Sequence, residues 1–584
     1  MNGADPKDRA AVLRWWSPWA LARPDVGTRR SWSADLAVAA GLFALFSLVV
    51  RMAIAGHHPG AGAPVSLRFS ALPLYAAYSV ARMAVAYVLS MAFSLVYGYV
   101  AAYNRRAERV LVPILDILQS VPILSFMPAV VLALTGLFPG SSLGAEFASV
   151  VLVFTSQAWN LTFSFYNSLL TVPKELREVA RLYHLNWWQR FRQLELPYAA
   201  GGLVWNSMMS WAAGWFFLMA AEMFSLGNRS FQLPGLGSYL KVAAGHPRDE
   251  IAGLLTLVLV IVAIDQLVWR PVIAWADKFK VELVGNQTPP RSAVLMLLRR
   301  SHLLAWAGER VLTPAVERLD RALARGEAEG TASQTTWTRQ LLGWVAGVGI
   351  LALAVYAGWR GLGLLLTTPG AAWRQLPLEA GLTLLRVAAA LAISVVWTVP
   401  VGVFIGMNRV WASRLQPVAQ ILASVPASAL FPVIVLWVGG GLSWLSVLLM
   451  LLGSQWYVLF NVIAGAMALP QDLKEVTNLF GLSRMDRWRT LILPGIFPSL
   501  ITGLITAAGG AWNAAIVTEY VQLRPHVVVQ TTGLGAAIAQ ASQRGAYGTL
   551  LAATLALSVL VVLANRNFWR RLYRLAETRY TLLS

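Results

Sequence analysis

The sequence predicts an all-α, polytopic membrane protein of about 12 transmembrane helices, arranged as two tandem six-helix halves. Three observations predict it. Hydrophobic residues make up 57% of the 584-residue chain against 13% charged, with a mean hydropathy of +0.59. Apolar runs repeatedly reach the roughly 20 residues that cross a bilayer. Polar residues set among those runs recur in register half a chain later, and chance likeness between apolar helices does not preserve that.

The apolar runs place spans at about 35–55, 71–103, 110–137, 146–170, 196–225, 251–270, 338–357, 378–407, 411–437, 443–468, 495–522 and 547–565. An even number puts both termini on one side. Arg9, Arg14, Arg23, Arg29 and Arg30 precede the first span, and Arg566, Arg570, Arg571 and Arg574 follow the last. Arg105, Arg106 and Arg109, and then Lys278, Lys280, Arg291, Arg299 and Arg300, fall in loops on that same side. Cytoplasmic loops are enriched in Lys and Arg, so both termini are expected in the cytoplasm, with the protein in a bacterial cytoplasmic (inner) membrane. The basic N-terminus lacks the short apolar core and small-residue cleavage site of a signal peptide.

The expected organisation is 1–34 cytoplasmic segment, 35–270 first half, 271–337 linker, 338–566 second half and 567–584 cytoplasmic tail. The linker carries a charged stretch around Glu309–Glu329 that reads as an amphipathic helix lying along the headgroups. The net charge of +20, from 47 Lys and Arg against 27 Asp and Glu, would suggest nucleic acid in a soluble chain. Here the basic residues bracket apolar spans, so lipid and no nucleic acid is the expected partner. The 25 tryptophans and 16 tyrosines suit interfacial belts, and with no cysteine there is no disulfide, thiolate metal site or thiol nucleophile.

Two polar stretches carry the repeat: EVARLYHLNWWQRFRQLELP from Glu178 to Pro197, and EVTNLFGLSRMDRWRTLILP from Glu475 to Pro494, at one offset of 297 residues. Arg82 and Ser120-Val121-Pro122 return as Arg386 and Ser424-Val425-Pro426, both at 304. Ser156-Gln157 returns as Ser454-Gln455, Trp215 as Trp512, Glu222 as Glu519, and Gly235-Leu236-Gly237 as Gly533-Leu534-Gly535. Six spans per copy keep the halves in one orientation, related by a pseudo-twofold axis along the membrane normal, with a central interface where a substrate can pass.

Prolines 173 and 197 bound the first insert, and 470 and 494 the second. Proline cannot continue a helix, so it separates the insert from the spans beside it. Glu178 and Glu475 fall in a first helical turn, where the dipole favours a carboxylate. Ala180 and Thr477 follow, then a break at His184-Leu185 or Gly481-Leu482, then a second short helix. Such a helix–break–helix fits a cleft on a cytoplasmic partner; the plainer alternative is a pair of ordinary amphipathic loops.

At these residues the chain resembles the permeases of ABC importers, whose cytoplasmic signature is Glu-Ala-Ala, three residues, Gly, nine residues, then Ile-x-Leu-Pro. Both copies keep the Glu, the Leu-Pro and the spacing. Val replaces the first Ala, Thr477 the second Ala of copy two, His184 the Gly of copy one, and Leu194 and Leu491 the Ile. Without glycine at His184 the bend is expected to differ between halves. The resemblance covers most of both halves and is closest to the nitrate/sulfonate/taurine/bicarbonate group of type I importers. Thr383-Leu384-Leu385-Arg386, the Val-Pro, and the glutamate and Gly-Leu-Gly after the fifth span support it. Most members encode one half. The resemblance implies two cytoplasmic ATP-binding subunits holding Mg-ATP, no cofactor on this chain, and an external binding protein that delivers a small anion.

Arg82, Asp116, Glu222, Asp265, Arg386 and Glu519 fall within or near the ends of spans, where ionisable groups are costly and are functional suspects. From Arg386 to Asn408 is about 33 Å of helix, and from Pro494 to Glu519 about 38 Å, which puts both charges near the outer surface. Two roles stay open: structural pairs Arg82–Glu222 and Arg386–Glu519, or arginines that attract an anion while the glutamates gate it. Candidate pathway residues are Ser120, Trp215, Ser424, Trp512 and Asn513, with Asn206, Ser207, Ser210, Ser125 and Ser428 near them. Prolines 122, 128, 426 and 432 free carbonyls that suit a cavity wall.

No G-x-x-x-x-G-K-[ST] occurs, so no P-loop is expected and the chain is not read as an enzyme. His57, His58, His184, His246, His302 and His526 form no ligand pattern, and no metal site is expected. The rival reading, a twelve-span secondary transporter driven by an ion gradient, explains the spans and the linker but not two proline-bounded inserts with matching glutamates.

Overall fold

The computed structural model describes residues 65–139, 141–226, 229–279, 292–307, 355–438, 443–524 and 527–579, with scattered positions in 32–40 and 309–352. Most of the expected spans at 35–55 and 338–357 and most of the charged linker stretch lie outside the described residues.

The first half runs α1 (Leu72–Tyr103), α2 (Arg105–Ser120), α3 (Ile123–Leu137), α4 (Leu143–Thr171), α5 (Lys174–Leu182), α6 (Trp187–Arg190) and α7 (Leu196–Glu222). A hairpin of β1 (Met223–Leu226) and β2 (Arg229–Gln232) follows, then α8 (Leu236–Ala243), α9 (Pro247–Ile264) and α10 (Arg270–Ala276). Two linker helices, α11 (Ala293–Arg300) and α12 (His302–Ala307), come next. The second half repeats the order: α13 (Gly370–Met407), α14 (Arg409–Ser424), α15 (Ala427–Val438), α16 (Ser443–Met467), α17 (Gln471–Leu479), α18 (Arg484–Arg487) and α19 (Leu493–Thr518). It ends in β3 (Tyr520–Arg524), β4 (Val527–Gln530), α20 (Leu534–Arg544), α21 (Tyr547–Ala564) and α22 (Arg570–Arg579). Among the described residues six helices are long and apolar enough to cross a membrane.

The repeat extends to backbone detail. Asn104 caps the amides of Arg106 and Ala107, and Asn408 caps those of Val410 and Trp411. A π turn at Phe191–Glu195 joins α6 to α7, and one at Trp488–Ile492 joins α18 to α19. A second pair, Asp265–Trp269 and Asn565–Trp569, follows α9 and α21. The boundaries expected at 270 and 566 therefore fall inside continuous helix. Pro271 does not end its helix because it opens the segment just after a π turn, where a missing donor is tolerated.

Two expected spans, 110–137 and 411–437, are broken. Where a single helix at 110–137 was predicted, α2 and α3 are separated by Val121 (ψ 125°) and Pro122 (ψ 123°), both extended. The residue before a proline is pushed out of the helical region, and Val425 breaks α14 from α15 the same way (ψ 116°).

A stripe of small residues packs the long helices together. Ala86, Ser90, Ser94 and Gly98 on α1 are buried, and so are Ala390, Ser394, Thr398 and Gly402 on α13, each one helical turn apart. Between lipid-immersed helices no hydrophobic gain drives packing, so close backbone approach supplies it. A Cβ on Gly98 would come within 2.9 Å of Phe165 on α4, and one on Gly402 within 2.8 Å of Val462 on α16.

The halves meet through the broken helices. Ile123 and Leu124 of α3 pack in one core with Ala511, Trp512 and Ala515 of α19. Ala429 of α15 packs with Met208, Trp211 and Trp215 of α7. Leu124 N donates to Asn513 Oδ1 (3.4 Å), and Thr554 Oγ1 to Ser125 O (3.2 Å).

Candidate functional site

Each polar insert forms one two-turn helix, a left-handed turn and a second short helix. His184 (φ 49°) and Gly481 (φ 58°) occupy the left-handed region. Leu185 N donates to Ala180 O (3.0 Å) and Leu482 N to Thr477 O (3.2 Å), the closing bond of the same helix-ending turn. The expectation that histidine would change the bend is therefore corrected: His184 takes the glycine conformation, at a cost of about 1–2 kcal/mol for a residue with a Cβ. The second helix is capped in both copies, by Asn186 in a capping box with Gln189 and by Ser483.

Glu178 and Glu475 are exposed, Ala180 and Thr477 are buried, and Leu185 and Leu482 are half-buried. The small residues thus face the body of the protein, which explains why Ala and Thr are tolerated there and larger side chains would not fit. The exposed face adds residues that sequence reasoning missed. Val179, Leu182 and Tyr183 are solvent-facing, and so are Val476, Leu479 and Phe480, all three pairs at offset 297. Leu182 and Leu479 are 77% and 85% exposed. The i, i+3, i+4 spacing of these apolar residues on an otherwise polar helix was the available signal.

Below the inserts the halves differ. Glu195 is buried, and its Oε1 accepts from Tyr103 Oη (2.5 Å) and Arg190 Nε (2.8 Å). The position 297 later is Ile492, also buried. Arg190 has a counterpart in Arg487, which donates to Leu482 O (3.1 Å) instead. An ionic tie in one half is an apolar contact in the other.

From the π turns, α7 and α19 carry the chain about 40 Å to Glu222 and Glu519, both fully buried. Arg82 Nη1 lies 2.9 Å from Glu222 Oε1, and Arg386 Nη1 2.9 Å from Glu519 Oε1. Each carboxylate also accepts from a hydroxyl, Ser79 or Thr383, and from a backbone amide, Gly237 or Gly535. The arginines donate on to the carbonyls of Pro234 and Thr532. These clasps fix the start of α8 and α20, and they explain Gly-Leu-Gly. A Cβ on Gly235 or Gly533 would land inside the glutamate's carboxyl group, and one on Gly237 would meet Met219 O at 2.8 Å. Glu146 was not foreseen: it takes Arg82 Nε and Nη2 in a bidentate pair, each at 2.6 Å, where the second half has Ser443.

The other expected pathway residues scatter. Trp215 and Trp512 are buried in core packing that reaches across the two halves, not on an open wall. Asn513 bridges the halves through Leu124. Ser210 and Ser207 on α7 are tied to Asn160 and Tyr87. Asp265 pairs with Arg270 (3.1 Å). The side chains of Ser120 and Ser424 lie outside the described set. Among the described residues no His, Asp or Glu group is arranged to hold a metal.

A duplicated helical half with a polar insert at one end and an ion-paired clasp at the other is the layout of a membrane permease. The chain belongs to the family described as binding-protein-dependent transport system inner membrane component, which it matches twice, over residues 91–265 and 398–567. It is a permease of the type I ABC importer class with two halves fused in one chain. It is 28% identical over 193 residues to the taurine transport system permease protein TauC of Escherichia coli K12, covering 32% of this chain and 67% of that protein. It is 25% identical over 183 residues to the nitrate import permease protein NrtB of Leptolyngbya laminosa, covering 31% and 63%. The putative aliphatic sulfonates transport permease protein SsuC of Escherichia coli K12 is 31% identical over 199 residues, covering 31% and 73%. The chain thus spans about two thirds of the length of these relatives.

Proposed function

We propose that this chain forms the whole transmembrane pathway of an ATP-driven importer and takes up ATPase motion through its two inserts. Two cytoplasmic ATP-binding subunits dock on α5–α6 and α17–α18, and an external binding protein delivers the substrate at the opposite end. The substrate is a small oxyanion or a molecule carrying one, as the names of the taurine, nitrate and sulfonate relatives suggest.

The observation that carries this reading is the matched exposed apolar triad, Val179-Leu182-Tyr183 and Val476-Leu479-Phe480. Exposed apolar side chains clustered on a polar helix mark a protein contact, and two closely matched clusters suit two copies of one kind of partner. The π turn beneath each insert leads straight into α7 or α19, so displacement of an insert has a continuous helical route to the clasp about 40 Å away. The Glu195 tie, present in one half only, supports unequal stiffness of the two routes.

The chain has no cysteine, so single cysteines at Glu178 and Glu475 can report docking directly. Each variant is expected to cross-link to an ATP-binding subunit, in a manner that changes with ATP. Absence of any cross-link from both sites, in a complex that still transports, would sink the docking assignment.

A further inference from the structure

Helix α8 hangs from the Glu222 clasp and touches α15 of the second half, while α20 touches α3 in the mirrored contact. Both short helices therefore lie where the halves meet, at the end of the molecule remote from the inserts. Lys241 stands in the last turn of α8, whereas the basic residue in the last turn of α20 is Arg544, five residues beyond the matching position. Gly235-Leu236-Gly237 aligned with Gly533-Leu534-Gly535 makes Ala539 the counterpart of Lys241. A lysine is therefore not needed to build this helix or its contact with the opposite half.

Lys241 is only partly exposed, and among the described residues no hydrogen bond or ion pair engages its ammonium. Burial pushes its pKa down, and no neighbouring carboxylate offsets the effect. Its place in the last turn of α8 is worth up to about 2 kcal/mol through the helix dipole in a partly buried setting. Removing an ammonium from water without a partner costs several kcal/mol. The plain reading, a lysine that stabilises a helix end, falls short of that cost.

We propose that Lys241 is the cationic contact for the transported oxyanion where the halves meet, and that it exists in the first half alone. It would donate a charge-assisted hydrogen bond to a sulfonate, nitrate or carboxylate-like oxygen, with Ala539 at the matching position of α20. The pathway is then asymmetric at this position although it is built from a duplicated fold. The clasp arginines are already engaged by Glu222, Glu146 and Glu519. The proposal rests on the importer reading above.

The test uses the full chain reconstituted in liposomes with its ATP-binding subunits and binding protein, with nitrate, bicarbonate and taurine as probes. For a probe the wild type carries, Lys241→Ala is expected to raise KM about tenfold or more with little change in ATP hydrolysis, while Lys241→Arg stays near the wild-type value. An unchanged KM in Lys241→Ala overturns the proposal and leaves the importer reading intact. Uptake of a probe that is indifferent to ATP overturns the importer reading and this proposal with it, and a wild-type complex that carries none of the three overturns the oxyanion contact alone. Should Lys241→Ala fail to assemble, acetylation of Lys241 in the wild-type complex is followed at fixed ionic strength, with Lys174 as internal reference. Saturable protection by a probe supports the site; equal rates with and without all three overturn it.

Discussion

His184 and Gly481 hold the same left-handed turn with different chemistry, so the strain of that turn is carried by one half. Replacing His184 with Gly should stabilise the first insert by about 1 kcal/mol, readable as slower hydrogen exchange at Leu185 and its neighbours. Gly481→Ala should cost a similar amount without disturbing packing, because a Cβ there has nothing within 4 Å. Gly535 is a different kind of glycine. A Cβ there would strike the Ala515 backbone, and overpacking of this sort costs up to about 3 kcal/mol. Gly535→Ala should therefore show a large loss of folded yield by size exclusion where Gly481→Ala shows almost none. From sequence all three positions looked alike, as motif residues; only the backbone angle and the space at each separate them.

Among the elements, the clasps and the broken third span decide the architecture. Glu222 is sealed with Arg82, Ser79 and the Gly237 amide, and Arg82 keeps its bidentate pair with Glu146, so Glu222→Gln should cost about 1.5–3 kcal/mol through the weakened charged hydrogen bonds. Glu146 is a third exposed, and Glu146→Gln should cost about 1 kcal/mol or less. Thermal unfolding in detergent of the two variants checks the order. Arg386→Gln, measured for both folded yield and uptake, tests whether the second clasp also serves transport: normal yield with lost uptake would contradict a purely structural pair.

The clasp arginines and glutamates were legible because duplication kept them in register. Glu146 was not, since its counterpart is Ser443 and nothing repeats. The break at Val121-Pro122 was hidden inside an unbroken apolar run, although the proline that causes it was in plain view. The four- and five-residue strands beyond Glu222 and Glu519 were too short to show any alternation, so their hairpins were missed.

At the scale of the molecule, two nearly equivalent halves differ at a few functional-looking positions: His184 and Gly481, Glu195 and Ile492, Glu146 and Ser443, Lys241 and Ala539. Fusion of the halves in one chain lets such differences persist, because a homodimer of a single half would carry every residue twice. Fold class and duplication were readable from composition and register. The expected polar pathway was not, because Trp215 and Trp512 turned out to fill the cores, and a sequence cannot tell a buried indole from one on an open wall.

The central claim is that ATP hydrolysis by docked partners drives this pathway. The direct measurement is uptake of nitrate, bicarbonate and taurine into liposomes holding the purified complex, with ATP supplied or withheld and with proton and sodium ionophores added. The account predicts uptake that requires ATP, stops when it is withheld and survives both ionophores. Uptake by the chain alone, indifferent to ATP and abolished by an ionophore, would contradict it.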